Sequence, residues 1–169
     1  PGLDTNPKNA AQAFTLQRKA HDILFLIDAS ASMGASDTRS RQTRLEAAQE
    51  IADELISRLK GENVGIYAFT SAPSKISPLT LDYLFARLML KNIQINEGGA
   101  AGTDFYSLLS QVSQEHFQNT GPKLKTLILI SDGEDTELGS LSGEAKESKT
   151  SALLDFLRNA EALHLRVYT

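Results

Sequence analysis

Cysteine is absent from this chain of 169 residues. Disulfide bonds, thiolate catalysis and zinc sites built on cysteine are therefore excluded. Long apolar runs are absent as well: the longest, 23–27 and 127–130, fall far short of the ~20 residues that a membrane-spanning helix needs. Basic residues are not in excess, because 17 Lys and Arg stand against 21 Asp and Glu, a formal charge of −4. A nucleic-acid-binding protein would carry a clustered basic face, so nucleic acid is not an expected partner.

The composition is that of a single globular domain, with 41% apolar and 22% charged residues. Three scattered histidines do not form the H-E-x-x-H spacing of a zinc hydrolase. The first 20 residues are largely polar, contain no apolar signal core and do not begin with Met. We therefore interpret residues 1–20 as an N-terminal extension or linker and 21–169 as the domain.

Short apolar segments alternate along the chain with amphipathic segments. Runs that are apolar on both faces are typical of buried parallel strands, and here they are 23–27, 64–69, 127–130 and a run that begins at 165. A shorter run bounded by proline, 76–79, predicts an edge strand. Helical spacing predicts helices over about 45–59, 81–90, 104–117 and 151–163. This alternation predicts an α/β fold: a doubly wound, mostly parallel sheet with helices on both faces.

Three details refine this prediction. Thr43 and Glu46 have the spacing of a capping box at the start of the first helix, and Gly61 is its expected stop. The segment 139–150 is rich in Ser, Gly and charged residues, which predicts a solvated loop. The apolar stretch 81–85 is expected in the core.

Polar residues follow the predicted strands where doubly wound sheets bind their ligands. Asp28, Ser30 and Ser32 come directly after the first strand, Thr103 ends a glycine-rich stretch, and Asp132 follows the third run. Alternate residues of an extended segment point the same way, so the first three side chains should converge. Together the five supply hard oxygen ligands without nitrogen or sulfur. This set suits Mg²⁺, Mn²⁺ or Ca²⁺ better than zinc or copper.

Each part of this set also has a plain structural interpretation. A D-x-S-x-S segment or a Ser-Asp-Gly turn is often only turn chemistry, and Thr103 with Asp104 is an ordinary helix cap. Arg39, Arg41 and Arg44 could clamp a partner's carboxylate or simply solubilise the surface. The joint placement of the oxygen-bearing residues at strand ends and at one helix start favours a metal site.

This arrangement resembles the von Willebrand factor A (VWA) domain with its metal-ion-dependent adhesion site (MIDAS). The motif positions correspond to Asp28, Ser30, Ser32, Thr103 and Asp132, and the likeness extends from about residue 21 to residue 169. Further stretches resemble the bacterial Bat-type proteins of the aerotolerance operon. They are Ser32-Met33, 44–48, 64–69 and 78–83.

The resemblance implies a Rossmann-like VWA fold that binds Mg²⁺ and recognises a partner protein. In the family, Ser30, Ser32 and often Thr103 would bind the metal directly, while Asp28 and Asp132 act partly through water. An Asp or Glu of the partner completes the coordination. VWA domains continue past the strand that begins at Leu165, so this chain is expected to lack the last strand and helix.

The Bat-type resemblance also implies a cellular setting. Such proteins are anchored in the bacterial inner membrane by segments outside this chain, with the domain in the periplasm. Other Bat proteins and a MoxR-type AAA+ ATPase system are the implied partners, in the assembly of membrane-associated complexes.

Two alternatives compete with a binding module. A metal-dependent phosphohydrolase using an aspartyl phosphate would need a second acid two residues after Asp28, where Ser30 stands, and a lysine at the site. The chain is therefore not expected to be an enzyme. A scaffold with a vestigial metal site is the other alternative.

Overall fold

The computed structural model describes residues 21–38, 41–96, 103–116, 124–133, 135–160 and 165–168. The predicted extension 1–20, most of the glycine-rich stretch and Arg39 lie outside the described residues. The helices are α1 (Arg44–Ser57), α2 (Tyr83–Lys91), α3 (Phe105–His116), α4 (Thr136–Ser140) and α5 (Gly143–Ala160). The strands are β1 (His21–Asp28), β2 (Asn63–Phe69), β3 (Pro73–Thr80), β4 (Leu124–Ile130) and β5 (Leu165–Tyr168).

The five strands form one sheet in the order β3-β2-β1-β4-β5. β1 is parallel to both neighbours, β5 is parallel to β4, and β3 alone is antiparallel. β2 and β3 lie on one side of β1, and the later strands β4 and β5 lie on the other. This order confirms the doubly wound topology. Asp28 is level with Phe69 of β2, and Ile27 with Ile130 of β4, so three carboxyl ends meet at one edge of the sheet.

Helices cover both faces of the sheet, as predicted. Ile23, Phe25 and Ile27 of β1 are buried in a cluster with side chains of α1 and α2. Leu24 and Leu26 point the other way and pack with side chains of α3. This alternation is the reason that the β1 sequence is apolar at every position from Ile23 to Ile27.

The start of α1 and the edge position of β3 follow the sequence prediction, whereas α1 ends at Ser57 with Arg58 as its C-cap, before the predicted stop at Gly61. The Glu46 amide donates to Thr43 Oγ1 at 3.1 Å, and the Thr43 amide donates to Glu46 Oε2 at 2.8 Å, which completes the capping box. Gly61, just past the helix, has a φ of 112°, a conformation that favours glycine. β3 forms the edge of the sheet, and it is longer than the predicted 76–79.

The predicted loop 139–150 is wrong, because α5 begins at Gly143. This first part of the helix contains Glu, Ala and Lys, which are good helix formers but show no apolar period. Lys149 fixes it to the neighbouring helix, since its Nζ lies 3.0 Å from Asp104 Oδ2 just before α3. No helix in the described part of the chain is long and apolar enough to cross a membrane.

The expectation of a buried 81–85 stretch is also wrong. Leu81, Leu84 and Phe85 are 61%, 78% and 40% exposed. The inner side of α2 is instead formed by Ala86 and Leu90, which are fully buried. α2 is apolar on nearly all sides, so its periodicity could not distinguish the inner face from the outer one.

Candidate metal centre

Asp28 is the buried centre of the polar residues at the carboxyl edge of the sheet. It ends β1 with no exposed surface. Its Oδ1 accepts a 2.9 Å hydrogen bond from the Ser30 amide, and its Oδ2 accepts a 2.6 Å bond from the Ser131 hydroxyl. A buried carboxylate needs such donors. Ser131 directly follows β4, so this bond ties the ends of the two central parallel strands together.

The two serines of the motif lie side by side. Ser30 Oγ and Ser32 Oγ are 3.0 Å apart, and Ser30 is only 8% exposed. Ser30 is extended, with φ −65° and ψ 163°, whereas Ser32 lies in a short 3-10 turn, Ala31–Gly34. Met33 is buried and anchors this turn. The hydroxyls therefore meet through a turn, and the expected extended segment is wrong beyond Ser30.

Thr103 lies at the same edge and is 2% exposed. Its amide donates to Thr136 Oγ1 at 2.8 Å, and its carbonyl accepts from the Glu137 amide at 3.2 Å, so the start of α4 holds it from one side. The next amide, of Asp104, donates to the Thr70 carbonyl at 3.4 Å, immediately after β2. Thr103 is thus fixed between the segments that follow β2 and β4.

Asp132 has a side chain that is 9% exposed and forms an ion pair with Arg44, whose Nη1 lies 2.8 Å from its Oδ2. The same guanidinium forms a fork on Asp37, with Nε 2.9 Å from Oδ1 and Nη2 close to Oδ2. The hydrogen bond from Arg44 lowers the pKa of Asp37. Arg44 is therefore bound to the chain's own carboxylates.

Two residues position the site in ways that the sequence did not predict. Ser131 is adjacent to Asp132 in the Ser-Asp-Gly turn, and its position at a strand end was a usable signal. Asp135 caps α4 by accepting from the Leu138 amide at 2.7 Å and also accepts from the Phe105 amide at 3.3 Å. It thereby connects α4 to the first residue of α3.

The neighbouring Asp104 uses its carboxylate for bonds within the protein, to Ser107 and Lys149. Burial raises the pKa of Asp104, but hydrogen bonds from Ser107 and Lys149 outweigh that effect and leave the pKa below its ordinary value. Its Oδ2 accepts from the Ser107 hydroxyl at 2.7 Å. This carboxylate stabilises the start of α3 and its contact with α5.

The donor chemistry of the edge fits a hard divalent cation. Within the described ranges, no group of three or more His, Cys, Asp or Glu side chains could hold a metal ion. A cation here would therefore depend on hydroxyl oxygens in addition to carboxylates. The paired serine hydroxyls and the buried Asp28 carboxylate supply oxygens of both kinds, and magnesium, manganese and calcium prefer oxygen ligands.

A family model and a curated bacterial protein both match this chain in sequence. Residues 23–134 match the family described as the von Willebrand factor type A domain. An uncharacterized protein of Borreliella burgdorferi is 30% identical over 115 residues, which cover 66% of this chain and 32% of that protein. The chain thus spans about a third of the length of this curated relative.

Solved structures show the same fold. BatB, a conserved hypothetical protein from Bacteroides thetaiotaomicron, is 25% identical with a TM-score of 0.65, over 88% of this chain and 64% of that one. An aerotolerance-related membrane protein from Bacteroides fragilis is 21% identical with a TM-score of 0.68, over 88% and 65%. Proximal thread matrix protein 1 from the mussel byssus, with a zinc-occupied MIDAS motif, is 18% identical with a TM-score of 0.61, over 88% and 37%. With two thirds of its residues matched by the family model, the chain belongs to the von Willebrand factor type A domain family.

Proposed function

We propose that this domain is a metal-ion-dependent protein-binding module of the MIDAS type. In this proposal a divalent cation, Mg²⁺ first and Mn²⁺ or Ca²⁺ as substitutes, is held by the predicted set: Asp28, Ser30, Ser32, Thr103 and Asp132. One observation carries the proposal: the buried Asp28 carboxylate and the touching hydroxyls of Ser30 and Ser32 meet at the carboxyl edge of the sheet. In doubly wound sheets this edge is where ligands bind.

Each residue has a distinct part in this proposal. Ser131 and the Ser30 amide hold the Asp28 carboxylate in one orientation. The hydroxyls are neutral, so only Asp28 and Asp132 would offset the charge of a dication. A bound cation of this kind attracts a further anionic ligand, and a carboxylate from an Asp or Glu of the partner protein would supply it. Binding rather than catalysis is proposed because Ser30 replaces the second acid that an aspartyl-phosphate mechanism needs.

The setting that we propose is the bacterial envelope. The likeness to BatB and to an aerotolerance-related membrane protein supports a Bat-type protein, anchored in the inner membrane by segments outside this chain, with the domain in the periplasm. Other Bat proteins and a MoxR-type AAA+ ATPase system are the proposed partners, in complex assembly. The zinc-occupied MIDAS of the mussel protein supports divalent-ion binding in this fold.

Calorimetric titration with Mg²⁺ and Mn²⁺ tests the metal site. The expected result is one saturable event per chain, lost in Ser30→Ala and unchanged in Ser36→Ala, an exposed serine of the same loop. Equal binding by both variants would contradict the assignment. A scaffold with a vestigial site would give no saturable heat with either cation.

Peptide display tests the partner chemistry. A random peptide library is bound to the domain in Mg²⁺ and eluted with EDTA. We expect the eluted peptides to be enriched in Asp or Glu, and to lose binding when that residue becomes Asn or Gln. Recovery of the same peptides in EDTA throughout, or by the Asp28→Ala variant, would show that recognition does not use the metal.

A further inference from the structure

Arg44 occupies a position between two carboxylates that differ greatly in exposure. Asp132, on one side, has a side chain that is 9% exposed, and Asp37, on the other, has one that is 57% exposed. The guanidinium is 32% exposed and bonds to both. The sequence separations are 88 and 7 residues, so this bridge joins the turn after β4 to the loop before α1.

The backbone around Arg44 is firmly held. Its amide donates to the Ala35 carbonyl at 3.0 Å, just after the 3-10 turn that carries Ser32. The capping box of Thr43 and Glu46 fixes the same helix start. The helix start therefore keeps Arg44 beside the predicted metal ligands, on a segment that also positions one of them.

We propose that Arg44 is a built-in competitor of the metal ion for Asp132 and so sets the affinity of the site for divalent cations. This inference rests on the proposed function, since it concerns the same site. With Arg44 paired to it, the charge of Asp132 is partly offset. A dication near Asp28, Ser30 and Ser32 is then attracted less strongly than it would be by two unpaired carboxylates.

Asp37 has the opposite effect in this arrangement. Its two hydrogen bonds draw the guanidinium toward the exposed side of the bridge and share its charge. Loss of Asp37 would leave Arg44 to Asp132 alone and strengthen that pair. The two ends of the bridge are therefore expected to change metal affinity in opposite directions.

The surroundings leave room for the guanidinium to move when a cation binds. An open depression of about 230 Å³ lies beside it, lined by Arg44 and Asp132 together with the apolar side chains of Met33, Ile51 and Ile130. The guanidinium is planar, so its Nη1 leaves Asp132 only when the whole group turns, and Asp37, with a side chain that is 57% exposed, can turn with it toward this space. The carboxylate of Asp132 is then released to the metal without unfolding of the helix start.

The experiment is a calorimetric Mg²⁺ titration of the wild-type domain and three variants at one ionic strength. Arg44→Gln is expected to bind Mg²⁺ about tenfold more tightly, and Asp37→Asn about threefold more weakly, within the usual range of coupling between two sites. Arg41→Gln, an exposed arginine of the same loop, removes the same charge without touching Asp132 and should change the affinity less than twofold. Thermal unfolding of each variant checks that the fold is kept.

A spectroscopic measurement follows Arg44 directly. The ¹⁵N–¹H signal of its side-chain Nε should shift in step with the Mg²⁺ titration, while that of Arg41 stays in place. An unchanged or weakened Mg²⁺ affinity in Arg44→Gln, or an equal gain in Arg41→Gln, overturns the competitor role and leaves the metal site intact. Absence of saturable Mg²⁺ binding in every variant, Arg44→Gln included, overturns the proposed function as well.

Discussion

The hydroxyl of Ser131 donates a 2.6 Å hydrogen bond to Asp28, a residue 103 positions earlier in the chain. Each residue ends or follows one of the two central parallel strands. This contact adds to the pairing of the two strands and links the loops that carry Ser30 and Asp132. The bond also serves stability, because it satisfies a carboxylate that has no exposed surface.

Asp28→Ala should therefore destabilise the fold as well as remove a metal ligand. The Ser131 hydroxyl and the Ser30 amide lose their acceptor, and an unsatisfied buried group such as the Ser30 amide costs about 1–3 kcal/mol. Urea unfolding without added metal measures the loss. Asp155→Asn, at a 60% exposed side chain in α5, is the control and should change the unfolding free energy by less than ~0.5 kcal/mol. Equal stability of the two variants would contradict this role of Asp28.

Removal of divalent metal is expected to leave the fold intact. The Asp28 carboxylate already has two protein donors, so its burial does not require an ion. Circular dichroism in EDTA should match that in Mg²⁺. The melting temperature should rise with Mg²⁺ concentration. The underlying gain in unfolding free energy is about 2.7 kcal/mol at 100 times the dissociation constant. Loss of secondary structure in EDTA would instead indicate a structural metal.

Gly65 in β2 lies against the buried Leu24 side chain of β1. A Cβ placed there would lie 2.6 Å from Leu24 Cδ2 and 3.4 Å from Leu79 Cδ2. Gly65→Ala should therefore cost about 1–3 kcal/mol through overpacking. Gly139→Ala in α4, where no atom lies within 4 Å, is the matched control and should be neutral or slightly stabilising. Denaturant unfolding measures the free energy of unfolding of both variants. Similar values for Gly65→Ala and Gly139→Ala would contradict the packing argument.

The outer face of α2 should tolerate polar residues. Leu84→Gln and Leu88→Gln replace side chains that are 78% and 60% exposed, so each should change stability by less than ~0.5 kcal/mol and improve solubility. Leu90→Ala, on the inner face, should cost about 2–5 kcal/mol. Thermal unfolding measures the stability of the three variants against that of the wild type. A large loss at Leu84 or Leu88 would mean that this face is covered in solution.

The pH dependence of stability should show the titration of His116. Burial lowers the pKa of His116; the negative charge of Glu115 opposes this effect, and the positive charge of Lys75 adds to it. The unfolded chain, with an ordinary histidine pKa of 6.5, then binds a proton before the folded one does. Stability should therefore fall as the pH drops below about 6.5.

His116→Gln tests this assignment. The variant also loses the 2.7 Å contact with the Tyr67 hydroxyl, so its absolute stability is lower at every pH. The informative quantity is the slope of unfolding free energy between pH 7 and pH 5, which should flatten. An unchanged slope would assign the acid sensitivity to other groups.

The sequence predicts the sheet well because buried parallel strands are apolar on both faces. Each such strand appears as a continuous apolar run, which can be identified without knowing the strands beside it. It also predicts that Asp28 and Ser30 lie at a strand end. The start of α5 escapes prediction because it shows no apolar period; the Lys149–Asp104 ion pair joins it to the start of α3. The bridge from Arg44 to Asp132 escapes it as well, since it joins residues 88 positions apart.

Strand β3 has a consequence for how this domain can associate with other chains. It runs along one side of the sheet with Pro73 and Pro78, which have no N–H to donate, and with an exposed Lys75. The two prolines interrupt the row of N–H donors that a foreign strand would use, so regular strand addition is disfavoured on this side. On that flank the sequence of β3 works against amyloid-like stacking.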